Sequence, residues 1–460
     1  MLPLSLEEIV KAVGASLLQG EPSRQVTVAT TDSRGVVPGT LFFALKGERH
    51  DGHDFVGEAL GRGAVGAVVS RPVPVPPEAG LLLVPDVLTA MGELARYVRQ
   101  QAGVFVVGVT GSTGKTSVKD MLAAVLGVRY RVLATQGNLN NEIGLPLTLL
   151  RLEPEHQVAV VEMAMRRPGE IAALSRIASP NAAVITNIGE THLELLGSVR
   201  AIAAAKGEIL DFVPPEGFAV LHAESPYIFE EARRCRGRVV FFGAGEQAAV
   251  RLSGYRPGGR TVTFKVAADG TEEEYTLPVP GYHNAVNALA AVAVAREMML
   301  RPAEIREGLK RVTLSEMRLE IRECGSLTVI NDAYNANPTS MRAALGVLRD
   351  LAGERRRVAV LGDMLELGAR TVEAHREVGE AAADCADYIV AVGRLAAGIA
   401  AGAAGAGFAA DRVMACPDTA AAVAVLRKLL RGNEVVLVKA SRGMHLEAVV
   451  DAICAGGGGS

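Results

Sequence analysis

The chain has no excess of either charge. Lys and Arg number 48 against 51 Asp and Glu, for a net charge of −3. No basic field is present to attract nucleic acid, and a DNA-dependent motor is disfavoured on that ground. Cysteine is sparse: Cys235, Cys324, Cys385, Cys416 and Cys454 form no CxxC pair and no zinc spacing. An odd, dispersed set predicts a reducing compartment, with the thiols as core filler. There is no leader pattern, because residues 1–19 already carry acidic residues at helix-like spacing. There is also no charge-free apolar run of about 18 residues, so no membrane span is predicted. These absences together predict a cytoplasmic protein. What remains is 49% hydrophobic and 22% charged, which reads as soluble and globular. At 460 residues the chain exceeds one typical core, and roughly two to four domains are expected. The GGGGS tail at 456–460 is expected to be disordered and is set aside.

The most informative segment is VFVVGVTGSTGKTS at 104–117. An apolar strand runs into a Gly-rich turn that opens a helix. This layout cradles phosphate: backbone N–H groups and a helix N-terminus face the anion, a lysine reaches the terminal phosphates and a hydroxyl reaches Mg²⁺. Gly111, Ser112, Thr113, Gly114, Lys115 and Thr116 are the candidate nucleotide contacts. The match is to a tight variant, because the position five before the Gly-Lys pair is Val109 rather than glycine. Val118, Met121, Leu122, Val125 and Leu126 repeat at helical spacing after the loop, and Gly127 stands where a C-cap would.

Three blocks emerge along the chain. The first, residues 1–100, alternates short strands (40–45, 64–69) with helices, has a Pro-rich connection at 71–80, and ends in a helix over 86–101 with Asp86 as N-cap. The second, 101–312, holds the phosphate loop, strands at 157–162 and 182–187, and an Ala-rich helix over 284–299. The third, 313–455, alternates strands (327–331, 357–361, 388–392, 435–439) with helices. Strand–helix alternation of this kind predicts an α/β architecture with parallel sheets: a P-loop ATPase-like central sheet and a Rossmann-like C-terminal domain.

In open parallel sheets, ligands collect at the carboxyl ends of strands. Glu162 ends one strand, Asn187 ends another and His192 follows five residues later. Beside a phosphate loop, this carboxylate and imidazole are candidate metal ligands; taken alone, each would be a solvated acid or a hydrogen-bonded loop histidine. Lys206 is the oddest residue. Residues 198–213 read as a helix N-capped by Ser198, with Val199, Ile202, Ala203, Ile209, Leu210 and Val213 on its apolar stripe, and Lys206 lies on that stripe. An inward lysine loses hydration and shifts toward the neutral amine, which can take up CO₂ as a carbamate. Snorkelling to solvent or pairing with a buried acid is the alternative. GYHN at 281–284 with Asn287, NDAYNANP at 331–338, LGDMLE at 361–366 and KASR at 439–442 also fall at element ends. There, capping and turn chemistry compete with ligand binding.

The compact TGSTGKTS loop, the GxHNxxN segment at 281–287 and NDAYNANP at 331–338 resemble the Mur ligases, the ATP-dependent amino-acid ligases of bacterial cell-wall synthesis. The resemblance spans essentially the whole chain except the tail. Residues 31–55, GNLNNEIGLPLTLL at 137–150 and LGDMLELG at 361–368 resemble the branch that joins D-alanyl-D-alanine to UDP-N-acetylmuramoyl-tripeptide. Two departures stand out: Ala164, where the family usually has glycine after Glu-Met, and Arg167, in a segment commonly richer in glycine.

The resemblance implies ligation through an acyl phosphate, with ATP and two Mg²⁺ ions. It implies metal ligands Thr116, Glu162, His192 and a carbamylated Lys206, with Lys115, Glu162, His192 and Lys206 as the catalytic set. His283, Asn284, Asn287, Arg318, Asp332 and Asn335 would serve the nucleotide. Ser33, Arg34 and Lys46 would contact the uridine nucleotide, Asn138, Asn140 and Asn141 the peptide, and Asp363, Glu366 and Arg442 the dipeptide. The partners would be these small molecules alone, with no nucleic acid and no membrane, and the enzyme a monomer. A sister ligase adding another amino acid is the nearest rival, and a P-loop nucleotide switch the rival from another class.

Overall fold

The computed structural model describes residues 1–191 and 193–456. Three large sheets organise it, beside a two-stranded antiparallel pair, Leu4–Ser5 with Gln25–Val26. The first has five strands in the order Ser16–Gln19, Gly80–Leu83, Gly66–Val69, Thr40–Phe43, Val28–Thr30, parallel except at the Ser16–Gln19 edge. The second has nine. From one edge, Val132–Ala134, Val158–Glu162, Phe105–Thr110, Ala182–Ile185, Phe218–His222, Arg238–Gly243 and Val250–Gly258 run parallel, and Thr261–Ala268 and Thr271–Leu277 then add antiparallel strands. The third has six: Glu320–Cys324 antiparallel at one edge, then Leu327–Asn331, Glu434–Lys439, Arg356–Gly362, Tyr388–Val392 and Val413–Cys416, all parallel. The α/β expectation holds in all three large sheets. The parallel strands are Val/Ile/Leu-rich because helices cover both faces.

The first and second sheets share a core. Helix Val87–Ala102, capped by Asp86 through the amide of Thr89, buries Met91, Leu94, Ala95 and Val98 in one apolar cluster with Val106, Leu145 and Ile171. Arg99 ties the helix down by donating to the carbonyl of Ala178 at 3.0 Å and to Asn181 Oδ1 at 2.9 Å. A cut at residue 100 would therefore open the core of the central sheet. The third sheet has its own core on both faces. It joins the rest where Ser315 donates twice to Asp120 Oδ2, at 2.9 Å each, and where Arg370 pairs with Glu190.

Two readings need correction. Cys324 and Cys454, expected as thiols, are joined as a disulfide across 130 residues, linking the Glu320–Cys324 edge strand to the last helix; Cys235, Cys385 and Cys416 are free. Sequence spacing could not show this, because the topology alone brings a strand and a helix so distant in the chain together. Gly456, assigned to the tail, instead ends helix Glu447–Gly456; the remaining tail residues lie outside the described residues. Among the described residues, no helix is long and apolar enough to cross a membrane.

Candidate active site

The phosphate loop sits where the sheet demands. Strand Phe105–Thr110 is central, flanked in parallel by Val158–Glu162 and Ala182–Ile185, so all three carboxyl ends open on one edge. Helix Lys115–Leu126 then buries Val118, Met121, Leu122, Val125 and Leu126, the stripe expected from spacing. Gly127 is the C-cap, but in right-handed helical conformation at φ −63° rather than a left-handed turn. Gly111 has φ +150°, and a Cβ there would overlap Thr186 Oγ1. Gly114 has φ +77°, and a Cβ there would lie 2.7 Å from Asn287 Oδ1. Only glycine serves at either place.

Neighbouring strand ends hold the loop. Thr113 N donates to Asn187 Oδ1 at 2.9 Å, Ser112 N donates to the Asn187 carbonyl at 3.0 Å, and Gly189 N donates to Ser112 Oγ at 2.9 Å. Glu162 is buried. Its Oε2 accepts from Thr116 Oγ1 at 2.7 Å, its Oε1 accepts from Asn140 Nδ2 at 2.8 Å, and its amide donates to Thr135 Oγ1 at 2.9 Å. A hydroxyl and a carboxylate thus meet beside the loop, both oxygen donors of the kind Mg²⁺ takes.

Lys115 and Lys206 converge on one atom. Lys115 Nζ donates to the Gly111 carbonyl at 2.8 Å, and Lys206 Nζ donates to the same oxygen at 3.0 Å. Lys206 is 2% exposed, on helix Val199–Gly207 with Ser198 as N-cap. The helix is shorter than expected, and a 3₁₀ segment, Glu208–Phe212, continues it. Snorkelling is thereby excluded, and among the described residues no carboxylate pairs with Lys206. Burial, and then the Lys115 charge, hold the Lys206 ammonium well below the ordinary lysine range. Lys115 is also pushed down by burial, with Glu162 opposing and Arg318 adding to the shift.

The other wall comes from helix Tyr282–Glu297 and the third sheet. Asn287 lies against Gly114, and the buried Asn284 donates to the Pro280 carbonyl at 2.8 Å rather than capping its helix. Burial pushes His283 down to about 4, with Asp332 opposing and Lys439 adding. Asp332 Oδ2 pairs with Lys439 Nζ at 2.5 Å and Oδ1 accepts from Leu319 N at 3.1 Å, while Lys439 also donates to the Asn335 carbonyl at 2.9 Å. Arg318 stacks over Tyr334, 4.2 Å from the ring centroid. The residues on either side of it, Met317 and Leu319, have φ of +56° and +52°, strain that fixes the path of the arginine.

These groups face one cleft of about 1440 Å³. It collects Ser112 to Thr116, Asn138, Asn140, Asn141, Glu162, His283, Asn284, Asn287, Arg318, Asp332 and Asn335 from the predicted set. Gly111 and Lys206 lie beneath it. Six predicted contacts stand elsewhere. Ser33 donates to Glu58 Oε2 at 3.2 Å, Arg34 pairs with Asp32 at 2.8 Å, and Lys46 bridges Asp51 through the backbone, all at the first sheet. Asp363 is buried and accepts from Ala396 N at 2.7 Å, Glu366 is exposed at φ +63°, and Arg442 pairs with Glu447 at 2.9 Å. His192 lies outside the described residues. Sequence reasoning missed Thr135 and Thr186, whose hydroxyls fix Glu162 and the loop; the only available signal was their position at strand ends.

Fold and cleft define a three-sheet α/β protein built around a P-loop nucleotide site. The Mur ligase middle domain matches residues 109–295, the Mur ligase glutamate ligase domain 317–442, and the Mur ligase family catalytic domain 25–99. A UDP-N-acetylmuramoyl-tripeptide–D-alanyl-D-alanine ligase of Bacillus subtilis is 40% identical over 456 residues, covering 98% of each chain. The UDP-N-acetylmuramoylalanyl-D-glutamyl-2,6-diaminopimelate–D-alanyl-D-alanyl ligase of Acinetobacter baumannii has a similar structure, with a TM-score of 0.87, 33% identity and 98% of each chain covered. MurF ligase from Thermotoga maritima, solved with ADP, gives a TM-score of 0.82 at 29% identity, covering 94% of this chain and 97% of that one. The chain belongs to the Mur ligase family. It is therefore an ATP-dependent ligase that forms an amide bond.

Proposed function

We propose that the chain joins D-alanyl-D-alanine to UDP-N-acetylmuramoyl-tripeptide, giving the pentapeptide precursor of peptidoglycan with ADP and phosphate. Whole-length similarity to ligases of that name supplies the substrates. The observation that carries the chemistry is the pair of lysines on one carbonyl. A phosphate loop needs one lysine; a second, buried and with no acidic partner among the described residues, suits conversion to an anion. The neutral Lys206 amine attacks CO₂, a C–N bond forms and one proton leaves, giving a carbamate.

The residues fit a divalent metal. Thr116 and Glu162 offer oxygen donors, and among the described residues no cluster of three or more His, Cys, Asp or Glu offers an all-protein cage. That combination suits Mg²⁺, which keeps waters and takes phosphate oxygens. Thr116, Glu162, the Lys206 carbamate and His192 are its proposed ligands, over two ions. When bound, Mg²⁺ neutralises phosphate charge and orients the reacting oxygens. Lys115 and the amides of Gly114 to Thr116 hold the terminal phosphate, on a loop whose Ser112 and Thr113 amides are tied to Asn187. The peptide's terminal carboxylate attacks the γ-phosphorus, ADP leaves, and an acyl phosphate forms. Attack by the dipeptide amine on the acyl carbon, with loss of its proton, then expels phosphate. Asn138, Asn140 and Asn141 orient the peptide, and His283, Asn284, Asn287, Arg318, Asp332 and Asn335 orient the nucleotide.

In this reading residues 1–100, with Ser33, Arg34 and Lys46, take the UDP-sugar, and 101–312 take ATP. Residues 313–455, with Asp363, Glu366 and Arg442, close over ATP and bring the dipeptide. The enzyme acts as a cytoplasmic monomer on small molecules. Phosphate release tests the reading: it should require UDP-MurNAc-tripeptide and D-Ala-D-Ala together. ATP hydrolysis by the protein alone, indifferent to both, would make it a nucleotide switch.

A further inference from the structure

The guanidinium groups of two arginines in the cleft pair with no other side chain among the described residues. Arg166 and Arg167 follow the Glu162 strand and line the cleft. Their backbone is fixed from three sides. Both amides donate to Glu170 Oε2, at 2.6 and 3.2 Å. The amide of Ala164 donates to the Asn140 carbonyl at 2.9 Å. Glu208 accepts from the amides of Gly169 and Ala172, at 2.7 and 3.0 Å. Both arginines are nonetheless exposed, and among the described residues neither guanidinium has an ion-pair or hydrogen-bond partner. Glu142, on the neighbouring Asn140 loop, also lines the cleft and has no cationic partner among the described residues. Two cations on an anchored loop, facing a substrate cleft, are preorganised for an anion.

The flank they occupy narrows the choice of anion. Phosphates belong to Lys115 and the loop amides. The helix bearing His283 and Asn287 packs over strands Phe218–His222 to Thr261–Ala268, on the far side of the phosphate-loop strand. Arg166 and Arg167 lie on the near side, after Val158–Glu162 and beside Asn138 and Asn140, where the reading above puts the peptide. We propose that Arg166 and Arg167 read a free carboxylate at the far end of the peptide's third residue, so that the chain selects a tripeptide ending in a diamino dicarboxylic acid over one ending in lysine. The inference rests on the ligase reading.

2,6-Diaminopimelate differs from lysine by one carboxylate on the terminal carbon. Its head group is a zwitterion: the guanidinium forks take the carboxylate, and Glu142 takes the ammonium. Lysine offers only the ammonium, leaving the arginines unpaired.

The test compares kcat/KM for three UDP-MurNAc-tripeptides, ending in diaminopimelate, in its terminal carboxamide and in lysine. The carboxamide keeps the size and removes the charge. Wild-type protein should prefer the diaminopimelate substrate by about 10- to 100-fold over both others. The double variant R166Q/R167Q should bring that ratio near one, with an unchanged KM for ATP showing an intact fold. Equal use of the three peptides by the wild type, or a ratio that survives in the double variant, overturns the inference and leaves the ligase reading standing. A raised KM for D-Ala-D-Ala at an unchanged ratio gives the arginines to the dipeptide and also overturns it. No turnover of any of the three overturns the ligase reading itself.

Discussion

Gly111→Ala isolates the geometry on which the site depends. The backbone there is at φ +150°, and the new methyl would overlap Thr186 Oγ1 while lying 3.1 Å from Thr186 Cβ and N. Thr186 is buried and donates that hydroxyl to the Thr113 carbonyl at 2.5 Å. Accommodating alanine means losing this hydrogen bond, about 1–3 kcal/mol, and holding an L-residue at positive φ, about 1–3 kcal/mol. The total is about 2–6 kcal/mol. Part of it should appear as loss of stability and part as loss of ATP affinity, because the carbonyl that receives Lys115 and Lys206 moves with the residue. Thr186→Ala alone should cost about 1–3 kcal/mol, for the same hydrogen bond. In the double variant the overlap is gone, so the pair should cost less than the sum by roughly 1–2 kcal/mol. Calorimetric titration with a non-hydrolysable ATP analogue and thermal melts of all four proteins measure both shares. Strict additivity, or an alanine variant with unaltered affinity and melting temperature, would refute the steric argument.

Lys206→Ala should nearly abolish ligation while the protein stays folded. Lys206→Arg should not rescue it, because guanidinium keeps the wrong charge, whereas short carboxylic acids should restore some activity to the alanine variant. Extra mass of one carboxylate on Lys206, or density at its amine in a crystal, is the direct check. His283 is held at about 4 in the fold against about 6.5 in the unfolded chain. The folded state therefore binds fewer protons between those values, so this contribution is present above pH 6.5 and is lost as pH falls toward 4. The stability difference between wild type and His283→Gln should change by up to roughly 3 kcal/mol across that window in denaturant titrations; a constant difference would exclude His283. Substitutions at Asp363, Glu366 or Arg442 should raise the KM for D-Ala-D-Ala about tenfold and that for ATP less. Unchanged dipeptide dependence in all three would remove them from that role.

What the sequence made legible followed from local rules. The phosphate loop, the Asp86 and Ser198 caps, and the buried stripe of helix Lys115–Leu126 are read from spacing within a dozen residues, and the structure repeats them. Glu162 and Asn187 could be placed because parallel strands put their carboxyl ends on one edge. Long-range partners were not legible. Nothing near residue 324 announces residue 454, and nothing near Gly111 announces Thr186, yet both contacts are made. Asp363 is a further case. Its place at a strand end was legible, but its partner Ala396 N, 33 residues further on, was not. The inward face of Lys206 was visible as a pattern; that its amine shares a carbonyl with Lys115 needed the fold.

The shared carbonyl sets the charge logic of the site. At the phosphate loop, Lys115, Lys206 and Arg318 would carry three positive charges against the Glu162 carboxylate, since Asp332 is already neutralised by Lys439. An excess of cations suits a nucleoside triphosphate but repels the divalent ions that phosphoryl transfer needs. Neutralising Lys206 removes one charge, and carbamylation replaces it with a negative one, a change of two at a point one hydrogen bond from the phosphate loop. The same burial that depresses the ammonium makes the amine available, and the neighbouring Lys115 cation would favour an anion there. Arginine at 206 could never make this change. On the proposed reading, Lys206, buried beside Lys115 and the Gly111 carbonyl, serves as the precursor of an acid rather than as a base.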